Sequence, residues 1–212
     1  MVGLEAAGSV QCANGTALVP VDEPPRTMSL PPEPWTVRST KRLIERWWMT
    51  LRVDEVELPG GLVLPEYHVL EYPDWTLAMC QGVDGKLILV EQYRHGIGRV
   101  SLEFASGMLE AGESPTIGAQ RELVEETGYA SDEWIPLGAW APDPSRHDNV
   151  GHVFLARNAY RQGAPRPDVS EDLRVHLLSA TEVDAAIRSG RIVHGLHVAA
   201  FYRAATDGLL DG

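Results

Sequence analysis

The chain has 212 residues, of which 44% are hydrophobic and 23% charged, with a formal net charge of −12. That length suits one domain with extensions and is enough to bury a proper core. The acidic balance argues against a protein that coats nucleic acid, because neutralising phosphates needs clustered Lys and Arg.

In chain order, residues 1–36 hold six prolines (Pro20, Pro24, Pro25, Pro31, Pro32 and Pro34) and little apolar periodicity. Such a segment buries too little surface to offset its ordering entropy, so it reads as a flexible Pro-rich tail. Residues 37–212 read as one domain, with structure beginning between Trp35 and Lys41. From Trp47 to Leu70 two strands are predicted, WWMTLRVDEVEL and LVLPEYHVLEY, joined by a turn at Pro59-Gly60-Gly61. DWTLAMCQ and KLILVEQYR flank Gly82-Val83-Asp84-Gly85 as a β-hairpin whose second arm is buried on both faces. A Gly-rich loop, HGIGR, leads to a strand at Val100 to Phe104.

Ser114 can cap a helix, Pro115 fits its first turn and Gly128 can close it. Strands follow at Trp134 to Trp140 and Val150 to Ala156. After a Pro-containing loop at residues 160–170 comes a strand at Leu173 to Leu178. Thr181 is expected to cap a helix ended by Gly190, and an apolar helix runs from His194 to Ala205. Strands and helices follow one another without βαβ regularity, which gives an α/β (α+β) class. Cys12 and Cys80 are too few for a disulfide framework, and Cys80 reads as a buried free thiol. No apolar run reaches the ~20 residues that cross a bilayer. The opening MVGLEAAGSV lacks the pattern of a secretory leader. The expectation is a cytoplasmic protein that partners neither membrane nor nucleic acid.

The chemistry lies in Gly107 to Tyr129, GMLEAGESPTIGAQRELVEETGY. Glu122, Glu125 and Glu126 stand at i, i+3 and i+4 of the predicted helix, so their carboxylates share one face. Crowded carboxylates repel one another unless cations neutralise them, and hard oxygen ligands suit Mg²⁺, with Mn²⁺ an alternative. Ile117, Leu123 and Val124 are expected to pack the opposite face on a sheet. The plain alternative is a solvated acidic face. Arg121 and Glu113 could serve as a structural ion pair as readily as in catalysis.

The segment fits G-x5-E-x7-R-E-U-x-E-E-x-G-U, with U a bulky apolar residue, at Gly107, Glu113, Arg121, Glu122, Leu123, Glu125, Glu126, Gly128 and Tyr129. With each residue type used at about 5–10%, its seven fixed letters coincide by chance on the order of 10⁻⁸ per starting point. On this motif the chain resembles the Nudix hydrolase superfamily. LILVEQYRHGIGRVSLEFASGMLEAGES is similar to the lead into the motif in its ADP-ribose pyrophosphatase-like branch. The resemblance implies a Nudix-type α/β/α sandwich around a mixed β-sheet, with an N-terminal antiparallel strand segment (residues 41–72) that makes a homodimer. It also implies a metal site from Glu122, Glu125, Glu126 and the Ser106 carbonyl. Catalytic roles fall to Glu125, Glu126 and Arg121, and substrate contacts to Arg94 and Glu103.

SEDLRVHLLSATEVDAAIRSGRI resembles the family's E-x-E-D-I-x-V segment, which carries over Glu171 as a metal-binding and catalytic acid. Val169 stands where the family has its first acid. Activation of water is therefore left among Glu171, Asp168 and the metal alone. APDPSRHDNVGHVFLA lacks the branch's Ser-Pro-Gly-x-x-Glu run. His147 and Asp148 there read as pocket residues or, more simply, as a turn.

Trp47 and Trp48 are candidates to stack a nucleobase, against the alternative of burial on a sheet or dimer partner. His194 and His197 share a helix, with capping or surface roles expected. The reading is Mg²⁺-dependent hydrolysis of a nucleoside diphosphate sugar, with ADP-ribose first and GDP-mannose or another such sugar as the alternative. A nucleoside triphosphate pyrophosphatase and a non-hydrolysing nucleotide-sugar-binding domain are the rivals.

Overall fold

The computed structural model describes residues 32–167 and 172–210. Its strands and helices run β1 (Thr36–Arg46), β2 (Met49–Glu57), β3 (Val63–Glu71), β4 (Trp75–Gly82), β5 (Leu87–Arg94), β6 (Arg99–Glu103), β7 (Ala105–Met108), α1 (Pro115–Thr127), β8 (Tyr129–Ala130), β9 (Glu133–Trp140), β10 (Gly151–Arg161), β11 (Arg174–Leu178), α2 (Ala180–Arg188) and α3 (Gly195–Thr206). No helix among the described residues is long and apolar enough to cross a membrane, which says nothing of a β-barrel.

Two sheets form. β1, β2 and β3 make a small antiparallel sheet in that order, and the main sheet is mixed, with β11-β5-β4-β10-β8 along its path. β4 and β10 are its parallel pair, registered from Trp75 opposite Gly151 to Cys80 opposite Ala156. β4 and β5 are both buried, as a strand covered on two faces must be. Side chains that alternate along a strand point to opposite faces. Leu77, Met79, Leu87 and Leu89 therefore join one core with Val183 of α2 and Phe201 of α3, while Ala78, Cys80 and Ile88 join another with Ala119 and Leu123 of α1. Helices thus cover both faces of the sheet, the sandwich anticipated above. Each fully buried Leu or Ile contributes about 1.5–3 kcal/mol to holding these layers together.

β4 and β5 pair only at Cys80–Ile88 and Gln81–Leu87, beside the expected Gly82–Gly85 turn. Beyond it they diverge, and the next segment fills the fork: β6 pairs with β5 and β7 with β4. The strand expected at Val100 to Phe104 is therefore one limb of a longer element that changes partner at buried Phe104. This fork sets Ser106 and Gly107 against α1.

α1 begins and ends as its sequence predicts. Ser114 accepts a hydrogen bond from the Ile117 N–H at 3.4 Å, Pro115 opens the first turn, and Gly128 closes the helix at φ 73°. Thr181 does not cap α2; Ser179 does, in a reciprocal box with Glu182. β10 also runs on to Arg161, into the stretch expected as loop.

The N-terminal sheet has a strand more than anticipated. β1 carries no alternation because every residue in it is exposed. Trp47 and Trp48 are the two-residue turn between β1 and β2, with Arg46 opposite Met49. They make that turn without the positive φ of an Asn-Gly hairpin, since Asn158 is the one non-glycine residue with positive φ among those described. His147 and Asp148 fasten this sheet to the body. Leu70 donates to the Arg146 carbonyl at 2.7 Å, and the Asp148 carboxylate accepts from the Tyr72 N–H at 3.3 Å. The turn itself falls at residues 144–146, and His147 follows it as a bridge to Leu70.

Candidate active site

α1 brings its carboxylates against the fork. Glu126 is 1% exposed, and its Oε2 accepts a hydrogen bond from the Ser106 N–H at 3.0 Å. Glu122 is 9% exposed and lies over Gly107, where a Cβ would stand 2.1 Å from its Oε1. The glycine of the motif is therefore required by space: any side chain there would displace a site carboxylate. Glu125, half-exposed, opens toward solvent.

The carboxylate face of α1 is thus turned toward β7, and the expected division into an acidic face and an opposite packing face is corrected in part. Leu123 is fully buried on the sheet as anticipated, but Ile117 is 54% exposed and Val124 only partly covered. Ala119 supplies the close approach in their place.

Arg121 gathers the acids. Its guanidinium donates to Glu113 at 2.9 and 3.0 Å, to Glu122 at 2.7 Å, to Glu125 at 3.0 Å and to the Met108 carbonyl at 3.0 Å. These bonds, Glu113 foremost, raise the Arg121 pKa above its ordinary value, and the same bonds hold the Glu113 carboxyl below the usual carboxylate range. Glu113 also accepts from the Glu110 N–H, closing the loop ahead of the helix. Arg121 and Glu113 thus form the ion pair that was one of the two roles set out for them, and Arg121 also pairs with Glu122 and Glu125.

Among the described residues no three His, Cys, Asp or Glu side chains are gathered closely enough to hold a metal ion. Glu122 and Glu125 are drawn to Arg121 and Glu126 to the Ser106 amide, so the expected ligands share one side of α1 without converging on one point. The donor set nevertheless fits a hard divalent cation: three carboxylates on adjacent turns, one of them seated where only glycine leaves room. Glu171, Val169 and Asp168 lie outside the described residues. The chain leading to them is tied to the end of α1, with Gln162 and Gly163 donating to the Gly128 carbonyl and Arg166 to the Glu125 carbonyl.

Two clefts meet at the site. One of about 770 Å³ is lined by Trp47, Arg94, Ser106, Arg121, Glu122 and Glu125. The other, of about 1000 Å³, includes Trp75, Gln92, Arg94, Glu103, His194 and His197 in its wall. Arg94, Ser106, Gly107 and Met108 belong to both. Of the sequence candidates, Trp47 reaches the site, 83% exposed, whereas Trp48 lines neither cleft. Arg94 donates through Nε to both oxygens of Glu103, at 3.0 and 3.1 Å. The buried carboxylate thereby fixes the guanidinium between the two clefts.

His194 caps α3, its Nδ1 accepting from the Leu196 N–H at 3.3 Å, as expected. His197 does not have the expected surface or capping role: it is 1% exposed and accepts from the Phe104 N–H at 3.0 Å. Trp75, Gln92 and His197 were not picked out for the site from sequence. They lie on different strands and a late helix, and no local spacing joins them.

Residues 74–196 match the family described as NUDIX domain, and residues 35–70 match the one described as nucleoside diphosphate sugar hydrolase N-terminal domain. An ADP-ribose pyrophosphatase of Bacillus subtilis (strain 168) is 34% identical over 135 residues, 64% of this chain and 72% of that protein. A methanol dehydrogenase activator of Bacillus methanolicus is 30% identical over 154 residues, 72% of this chain and 83% of that protein. A crystal structure of an ADP compounds hydrolase superposes with a TM-score of 0.74 at 20% identity, covering 86% of this chain and all of the other; at that identity the likeness is one of fold.

Proposed function

The chain belongs to the NUDIX family, and from that premise we propose that it hydrolyses the diphosphate bond of a nucleoside diphosphate sugar, ADP-ribose first among them. The observation that carries the reading is the set of three carboxylates on α1, with Glu122 and Glu125 lining a cleft that continues into a second one and Glu126 buried beside them. A diphosphate with an arm on each side needs that shape, whereas a binding domain without turnover has no need of all three acids. The N-terminal match and the Bacillus subtilis relative support the substrate class.

Glu122, Glu126 and the Ser106 carbonyl would hold Mg²⁺, with Glu125 and, carried over from sequence alone, Glu171. The ion, when bound, supplies charge neutralisation at the diphosphate and lowers the pKa of water. The chain's own residues do the rest. Arg94, steadied by Glu103, pairs with a phosphate oxygen. Glu125 orients the attacking water from the open side. Arg121 keeps the helix carboxylates in place while the site is loaded. Water adds to one phosphorus, the bridging P–O bond breaks, and a nucleoside monophosphate and a sugar phosphate leave.

We further propose a cytoplasmic homodimer. Val37, Leu43, Ile44, Trp47 and Leu62 leave an exposed apolar set on the N-terminal sheet, of the kind that pairing with a second copy would cover.

The test is release of phosphomonoester from ADP-ribose, GDP-mannose, UDP-glucose and a nucleoside triphosphate, each with Mg²⁺ and with EDTA. Turnover of a diphosphate sugar that EDTA abolishes is the expected result. Turnover of the triphosphate alone would overturn the substrate class, and binding of ADP-ribose without turnover would overturn the enzyme.

A further inference from the structure

The second cleft ends on a side chain that the mechanism does not use. His197 lies at its floor, nearly parallel to Phe104 (10°, centroids 6.1 Å) and to Trp75 (19°, 6.3 Å), with the His194 ring 4.6 Å away. Three neighbouring rings and the bond to the Phe104 N–H hold the buried imidazole in place.

Its proton is placed by elimination. The Phe104 backbone N–H can only donate, so Nδ1 must accept, and the ring proton sits on Nε2. A second proton on Nδ1 would set two donors against each other, and burial also pushes the pKa of His197 well below its ordinary value. The ring is therefore a permanent neutral donor at neutral pH. Nε2–H has no partner among the described residues, although the side chain is 1% exposed and lines the cleft. The atom itself keeps contact with the cleft, so water answers it until an acceptor on a ligand takes that place.

We propose that His197 Nε2–H is a specificity donor, bonding an acceptor on the arm of the substrate that lies beyond the diphosphate. The inference rests on the reading of the chain as a nucleoside diphosphate sugar hydrolase. The two clefts share Arg94 and Ser106, so a diphosphate beside Glu122 and Glu125 directs one arm toward Trp75 and His197. The acceptor is an oxygen or ring nitrogen, which a nucleobase and a sugar can both supply. Placed on the arm beyond the diphosphate, His197 acts on binding and not on the bond that breaks.

H197N separates the two roles of the ring. The Asn oxygen falls near the position of Nδ1 and can still accept from Phe104, while nothing replaces Nε2–H. With ADP-ribose, ADP-glucose, UDP-glucose and GDP-mannose as probes, H197N is expected to raise KM about tenfold for the preferred substrate, with kcat within about twofold. A rise shared by the two adenine compounds assigns the acceptor to the base, and one shared by the two glucose compounds assigns it to the sugar. A folded H197N protein whose KM values stay within about twofold of the parent, or whose kcat falls at unchanged KM, overturns the proposal. If the parent turns over none of the four, the functional reading fails separately, and His197 is then judged by calorimetric binding of ADP-ribose. A tenfold weaker Kd in H197N supports it; an equal Kd, or no binding by the parent, overturns it.

Discussion

The carboxylate of Glu122 occupies the space where a side chain at Gly107 would begin, 2.1 Å from an ideal Cβ. A strand residue and a helix residue fifteen positions apart in sequence are thereby matched: the glycine has no side chain so that the acid can lie on the strand. Gly107→Ala should push Glu122 aside while the two cores stay intact. A displacement of about 1 Å at a reacting site costs on the order of 10²-fold. The expected result is kcat/KM lower by about that factor with Tm within a few degrees of the parent. Full activity in the alanine variant would show that Glu122 is not needed where it lies.

Glu126→Gln keeps an oxygen for the Ser106 N–H and removes the charge. Divalent-dependent turnover should fall by more than the roughly 10–100-fold lost when only an outer-shell partner is changed. Steady-state kinetics across a Mg²⁺ titration measures it. Activity regained at high Mg²⁺ would reduce Glu126 to an affinity role.

Arg121→Ala removes the donor that three glutamates share. In EDTA the loss should be about 2 kcal/mol, or about 4–8 °C in Tm. Mg²⁺ should restore a larger part of Tm in the variant than it adds to the parent, because a cation then replaces the lost counter-charge. Equal Mg²⁺ increments in both proteins would count against a counter-ion role.

Trp47→Ala tests the aromatic wall of the first cleft. If the ring stacks on a base, the lost contact of about 1–3 kcal/mol raises KM about 5- to 150-fold. Trp48→Ala, outside both clefts, should leave KM near the parent value. Unchanged KM in both, with weaker self-association in ultracentrifugation, would make the hairpin tip an interface element alone.

Burial holds the imidazoles of His194 and His197 below their ordinary pKa; Arg94 adds to this at both and His194 at His197, while Glu103 opposes it at His194. Between the folded values and about 6.5 the unfolded chain binds protons that the folded chain refuses. Stability therefore rises with pH across that window and is lost as pH falls below about 6.5. Tm measured from pH 7.5 to 5.5 should decline, and decline less steeply in H197N. Parallel curves would place the proton uptake elsewhere.

The helix α1 and its carboxylates were legible in sequence because every signal that builds them is local. Ser114, Pro115 and Gly128 act within one turn of the helix ends, and the spacing of Glu122, Glu125 and Glu126 is the helical repeat itself. The buried hairpin β4–β5 was legible for the same reason, from an unbroken apolar run and a Gly-bounded turn. β1 was not, because a strand exposed on both faces carries no alternation, and two tryptophans at its turn carry none of the residues that mark a hairpin.

What only the tertiary structure decided is the set of pairings made across the chain. That Glu122 lies on Gly107, that Arg94 is held by Glu103, and that His197 answers the Phe104 amide all follow from where β6 and β7 enter the fork between β4 and β5. Sequence spacing specifies the neighbours within a turn or a strand. Contacts between elements depend on which surfaces the packed layers bring together, and no local pattern carries that information.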